Sequence, residues 1–118
     1  MLTEFHGVKQ EPDHRRRWFE CDGLELIVWY DGGDRLAGFQ LCYFLPDGER
    51  ALSWRAATGF VHSRVDNGDS SPFRNETPVL QPGGPVPWEL VTALFADRAG
   101  TIEPDLRECI AAQLAARR

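Results

Sequence analysis

The chain has 118 residues, of which 42% are hydrophobic and 26% charged, and its net charge is −5. That length fits one domain with its own core, and the composition is that of a globular rather than a disordered chain. The acidic balance argues against general binding to nucleic-acid phosphate. Twelve of the thirteen basic residues are Arg and only Lys9 is Lys, a bacterial-like composition that also suits planar, paired contacts.

The first residues form no secretory leader, and apolar runs such as Leu26–Tyr30 are far too short to span a bilayer. Cys21, Cys42 and Cys109 are an odd number with no close pair. They give neither a disulfide framework nor a CxxC zinc site, so three thiols in a reducing compartment are expected. The reading is a soluble, cytoplasmic, single-domain protein with no membrane contact, no cofactor and no metal.

Residues 1–14 are polar and unpatterned and read as a loose N-terminal arm. From there short β-like runs alternate with turn signals: Arg16–Cys21, Leu24–Tyr30, Leu36–Phe44, Arg50–Arg55 and Phe60–Asp66. Asp31-Gly32-Gly33-Asp34 predicts a two-residue hairpin turn. Pro46-Asp47-Gly48-Glu49 predicts a four-residue turn, as Pro sets one φ and Gly frees another. Asp66-Asn67-Gly68-Asp69 closes the last run. Residues 69–87, rich in Pro, Ser and Gly, read as a long loop with an edge strand at Val79–Gln81.

Residues 88–116 read as a two-helix segment. Trp88, Val91, Leu94, Phe95 and Arg98 share one helical face, Gly100 stops the helix, and Pro104 opens a second. Leu106, Cys109, Ile110, Gln113 and Leu114 form the second stripe. The fold class expected is α+β: an antiparallel β-meander of five to six strands with two C-terminal helices packed on one face.

Turn lengths assign residues to faces. A Gly32-Gly33 turn pairs Val28 with Ala37, Leu26 with Phe39 and Leu24 with Leu41. Four-residue turns at Pro46–Glu49 and Ala56–Gly59 then give an apolar face: Leu24, Leu26, Val28, Ala37, Phe39, Leu41, Tyr43, Leu52, Trp54, Val61 and Val65. The opposite face gathers Glu25, Ile27, Trp29, Leu36, Gly38, Gln40, Cys42, Phe44, Ala51, Ser53, Arg55, Phe60, His62 and Arg64. Its candidate ligand or partner residues are Trp29, Gln40, Ser53, Arg55, His62 and Arg64, around a dent at Gly38.

Each sharper reading meets a plainer one. Ser53 opposite His62 would place a hydroxyl beside an imidazole, but there is no nucleophile elbow or oxyanion turn, and a hydrogen bond on a solvated face suffices. Cys42 lies two strands from His62, about 9.6 Å, too far for a thiolate–imidazole pair. His6, His14 and Asp13 lie in the arm, and His62 and Asp66 are too far apart to share an ion. Arg15-Arg16-Arg17 beside Trp18 reads better as a charged edge strand than as a nucleic-acid patch. No phosphate-binding glycine motif is present. No catalytic residue is assigned.

The functional expectation is a binding or protein-interaction module using the open sheet face, its partner a second protein or a second copy in a homodimer. The alternative is a small-ligand binder or enzyme with a polar site around His62 and Arg64. Cover of that face by the 69–87 loop is the intramolecular alternative.

Overall fold

The computed structural model describes residues 1–5, 15–33, 35–65 and 80–116. Seven strands run β1 (Thr3–Phe5), β2 (Arg15–Cys21), β3 (Leu24–Tyr30), β4 (Leu36–Leu45), β5 (Gly48–Arg55), β6 (Gly59–Val65) and β7 (Leu80–Pro82), followed by α1 (Trp88–Arg98) and α2 (Pro104–Ala116). The strands lie side by side in chain order, each antiparallel to the next. The two helices cover one face of this meander, the α+β arrangement read from the sequence. Among the described residues, no helix is long and apolar enough to cross a membrane.

The core is the apolar face that strand alternation builds. Leu24, Leu26, Val28, Phe39, Leu41, Tyr43 and Leu52 meet Val91 and Phe95 of α1 and Leu106, Ile110 and Leu114 of α2. The helix residues recur at a spacing of four, so each helix presents one stripe. Trp54, expected on the apolar face, lies on it but is half-buried and stacks on Phe39 with ring centroids 5.4 Å apart.

The first five residues do not form a loose arm. Leu2 is buried, its amide donates to the Arg98 carbonyl at 2.8 Å, and the Thr101 hydroxyl donates to the Leu2 carbonyl. These contacts pin β1 to the α1–α2 turn. Arg17 of β2 ties the same corner, donating to Glu4 at 2.9 Å and to Glu103 at 2.8 Å. The expected edge strand near residue 80 is present as β7. The rest of the Asp69–Pro87 loop, up to residue 79, the Asp66–Asp69 turn, and His6, His14 and Asp13 lie outside the described residues.

Three turns differ from expectation. At β3–β4, the Asp31 carboxylate accepts from the backbone N–H of Gly33 at 2.8 Å and of Arg35 at 3.0 Å, widening the hairpin beyond two residues. Leu26 therefore pairs with Leu41 and Val28 with Phe39, and an irregularity beside Tyr30 brings it opposite Leu36. Leu36 packs against the core and not on the open face. At β4–β5 the turn is tighter than expected: Leu45 pairs with Gly48, whose φ of +138° a side chain would rarely adopt. Both registers move by two residues, so both leave the faces unchanged.

The third difference reverses a strand. Ala56–Thr58 connects Arg55 to Gly59 in three residues, the Thr58 amide donating to the Arg55 carbonyl at 3.1 Å and Gly59 taking φ +86°. A glycine in the left-handed region permits this odd-length hairpin loop. An odd step turns every β6 side chain over. Phe60, His62 and Arg64 therefore lie on the helix side, opposite Trp54, Leu52 and Arg50. Val61 and Val65, expected in the core, project to the open side, where Val61 is 58% exposed.

Candidate functional site

The open sheet face is arranged in rows across the strands. The top row carries Arg16 of β2, Trp29 of β3, Gly38 of β4 and Arg55 of β5. The middle row carries Trp18, Ile27, Gln40, Ser53 and Val61. The row below carries Glu20, Glu25, Cys42, Ala51 and Ser63, and beneath it Phe44 sits opposite Glu49. Phe5 of β1 pairs with Trp18 and extends the middle row, the two rings meeting edge to face at 6.4 Å.

Four of the six candidate residues meet here. Gln40 accepts from the Ser53 hydroxyl at 3.0 Å and donates to Cys42 Sγ at 3.3 Å. The Arg55 guanidinium lies 5.2 Å from the centre of the Trp29 ring. Gly38 lies between them. A Cβ there would come within 2.7 Å of the Trp54 carbonyl and 3.6 Å of both Trp29 and the Arg55 stem. The expected dent at Gly38 is thus occupied by the Trp29–Arg55 stack.

His62 and Arg64 belong to a different cluster on the helix side, and the expected Ser53–His62 and Cys42–His62 neighbourhoods do not form. The Tyr43 hydroxyl lies 2.5 Å from His62 Nε2, and His62 Nδ1 lies 2.9 Å from the Gly84 carbonyl. A carbonyl can only accept, so Nδ1 carries the proton and Nε2 accepts from Tyr43. Burial pushes the Tyr43 phenol up to about 12, with Arg50 opposing.

Below them Arg50, only 5% exposed, donates to both Asp47 carboxylate oxygens at 2.9 and 3.0 Å and to the Gly83 carbonyl at 3.2 Å. Arg64 donates to the Asp47 carbonyl at 2.6 Å. These groups fasten β7 and the segment after it to the β4–β5 turn. Tyr43 is fully buried and Arg50 nearly so, while Arg64 and Asp47 reach the surface.

Burial pushes the Cys42 thiol up to about 11, with Gln40 opposing the rise and the Glu25 and Glu49 carboxylates adding to it. Ser53 has Gln40, not a base, as its partner. Burial also raises Glu25, assisted by the neighbouring charges of Glu20 and Glu49. Among the described residues, no group of three His, Cys, Asp or Glu side chains could hold a metal ion. Sequence reasoning missed Arg50 and Tyr43 as partners of the His62 cluster; only the odd β5–β6 turn signals them. It also missed Trp18, whose alternation with Phe19 places it on the open face. Comparisons with family models, curated proteins and solved structures find no match to this chain.

Proposed function

We propose that the protein is a small binding module whose contact surface for another protein is the open sheet face around Trp29, Gln40, Ser53 and Arg55. The observation that carries this reading is apolar exposure: Phe44 is 62%, Val61 58% and Phe5 53% exposed. All three project from the side of the sheet away from the helices. One-sided antiparallel sheets normally give their solvent face to polar residues. Apolar side chains exposed on one face beside charged groups are a common mark of a protein contact. The aromatic and arginine side chains here are the types enriched at such contacts, and the Gln40–Ser53 pair supplies polar orientation.

A photo-crosslinking residue at Val61 tests this in the producing cell. The expected result is a covalent protein adduct from Val61, and none from a control at Leu90, exposed on α1. Equal labelling from both positions, or none from Val61, would refute the reading.

A further inference from the structure

Among the described residues, the charges of the open face are segregated along the strands. Arg16 and Arg55 share the row of Trp29 and Gly38. Glu20 and Glu25 share a row four residues further along β2 and β3, and Glu49 lies beyond that row on β5. At about 3.4 Å per residue, the two ends are roughly 14 Å apart. Between them runs the middle row of Trp18, Ile27, Gln40, Ser53 and Val61, which carries no charge. The Glu20 and Glu49 charges both act on Glu25, and among the described residues no cation of the face stands in their row.

This polarity is self-complementary. A two-fold axis lying in the face, across the strands and through the middle row, exchanges the two ends. It sets Arg16 of one copy over Glu20 of the other and brings Arg55 within reach of Glu25 and Glu49. The middle row then meets itself. A two-fold contact of this kind uses one patch twice, so a surface that is its own charge complement satisfies it without a second design. Sheets packed face to face with strands nearly aligned are also a standard arrangement, with inner faces about 10 Å apart.

The size suffices. Six strands at about 4.8 Å, over some 20 Å of strand length, give a footprint of roughly 580 Å². The accessible area of the side chains on it is larger than the flat footprint. A specific interface needs about 600 Å² or more from each partner.

We propose that the occupant of the open sheet face is a second copy of this chain, docked with strands antiparallel so that the arginine end of each copy meets the glutamate end of the other. This rests on the binding reading above and names its partner. The dimer is held by the uncharged middle row and registered by the four charged corners. Its affinity falls as salt rises, because the corner charges lie near the rim.

Sedimentation equilibrium tests it. The wild type is expected to weigh twice the 13.3 kDa of the chain at micromolar concentration. Arg55→Glu alone, and Glu25→Arg with Glu49→Arg, should each raise the dissociation constant at least tenfold. Mixing the two variants should restore a dimer, because reversed charges meet again. Circular dichroism checks that each variant is folded; Val61→Glu, at an exposed position, provides a second break in the middle row if a charge variant unfolds. A monomeric wild type, variants that dimerise unchanged, or a mixture that stays monomeric would each overturn the proposal. A monomer whose Val61 crosslinks a different protein would leave the binding reading standing and remove the self-association. Absence of any Val61 adduct would remove both.

Discussion

Gly38→Ala is the most informative single substitution on the open face. The added Cβ would sit 2.7 Å from the Trp54 carbonyl oxygen, closer than such contacts occur, and the obstructing atom is backbone of the neighbouring strand. Relief requires β4 and β5 to part or the Trp29–Arg55 stack to move. Overpacking of this kind costs about 1–3 kcal/mol. At about 2.1 cal/mol/K of unfolding entropy per residue, a chain of this length has an unfolding entropy near 0.25 kcal/mol/K, so the expected drop in Tm is about 4–12 °C. Gly32→Ala is the matched control, since a Cβ at Gly32 meets nothing within 4 Å and its φ lies outside the left-handed range. It should be neutral or stabilising by up to about 1 kcal/mol, by restricting the unfolded chain. Thermal and urea melts of the two variants decide the matter. A Gly38→Ala protein within about 0.5 kcal/mol of wild type, or two variants equally destabilised, would refute the placement of Gly38 between Trp29, Trp54 and Arg55.

Three further outcomes follow from the same packing. Leu41→Ala removes a fully buried side chain at the sheet–helix contact and should cost about 2–5 kcal/mol in a urea melt. In the native protein a thiol reagent should modify Cys21 and Cys109, both half-buried, well before Cys42, whose thiol burial holds at about 11; mass spectrometry of partly labelled protein reads the order. The Arg17 guanidinium holds the Glu103 carboxyl below its ordinary value of 4.5. A depressed carboxyl contributes stability that is present above its unfolded value and lost as pH falls through the folded one. Arg17→Met should therefore flatten the acid limb of the stability profile below about pH 4.5 while changing its shape little near neutrality, as followed by urea melts from pH 3 to 7.

What was legible in the sequence was periodicity. The alternation of Leu24, Leu26 and Val28, and the four-residue spacing of Leu106, Ile110 and Leu114, each name a buried face without knowledge of any partner. Turn lengths were less legible, because they depend on local interactions that composition does not reveal. The Asp31 carboxylate widens one hairpin by capturing two amides. Gly48 and Gly59, at φ +138° and +86°, permit shorter connections than those expected. Arg50 illustrates a second blind spot. The alternation that puts Leu52 and Trp54 on the apolar face puts Arg50 there too, but the sequence does not show the partners that let it stay: Asp47 and the Gly83 carbonyl satisfy its guanidinium, which is the condition under which a buried charge is tolerated.

The errors were unequal because a sheet has period two. Two registers moved by an even number and kept every side chain on its face, while the single odd step at Ala56–Thr58 reversed β6. That reversal separates the two functional readings of the chain. With β6 in the expected orientation, His62 would have faced Ser53 beside Gln40, and Arg64 would have stood next to Ala51 in the row of Glu25 and Cys42. The positive charge of Arg64 would have offset the glutamates, and the imidazole would have given the face a base. With β6 turned over, His62 and Arg64 serve the Tyr43 and Asp47 contacts on the helix side, and Val61 replaces His62 at the outer strand. Among the described residues, what remains on the open face is Ser53 bonded to Gln40, a thiol raised by burial, a middle row without charge and opposite charge at its two ends. The three-residue connection ending at Gly59 therefore takes the His62 imidazole and the Arg64 guanidinium off the open face, and the self-association proposed above rests on the uncharged row and the charged ends that are left.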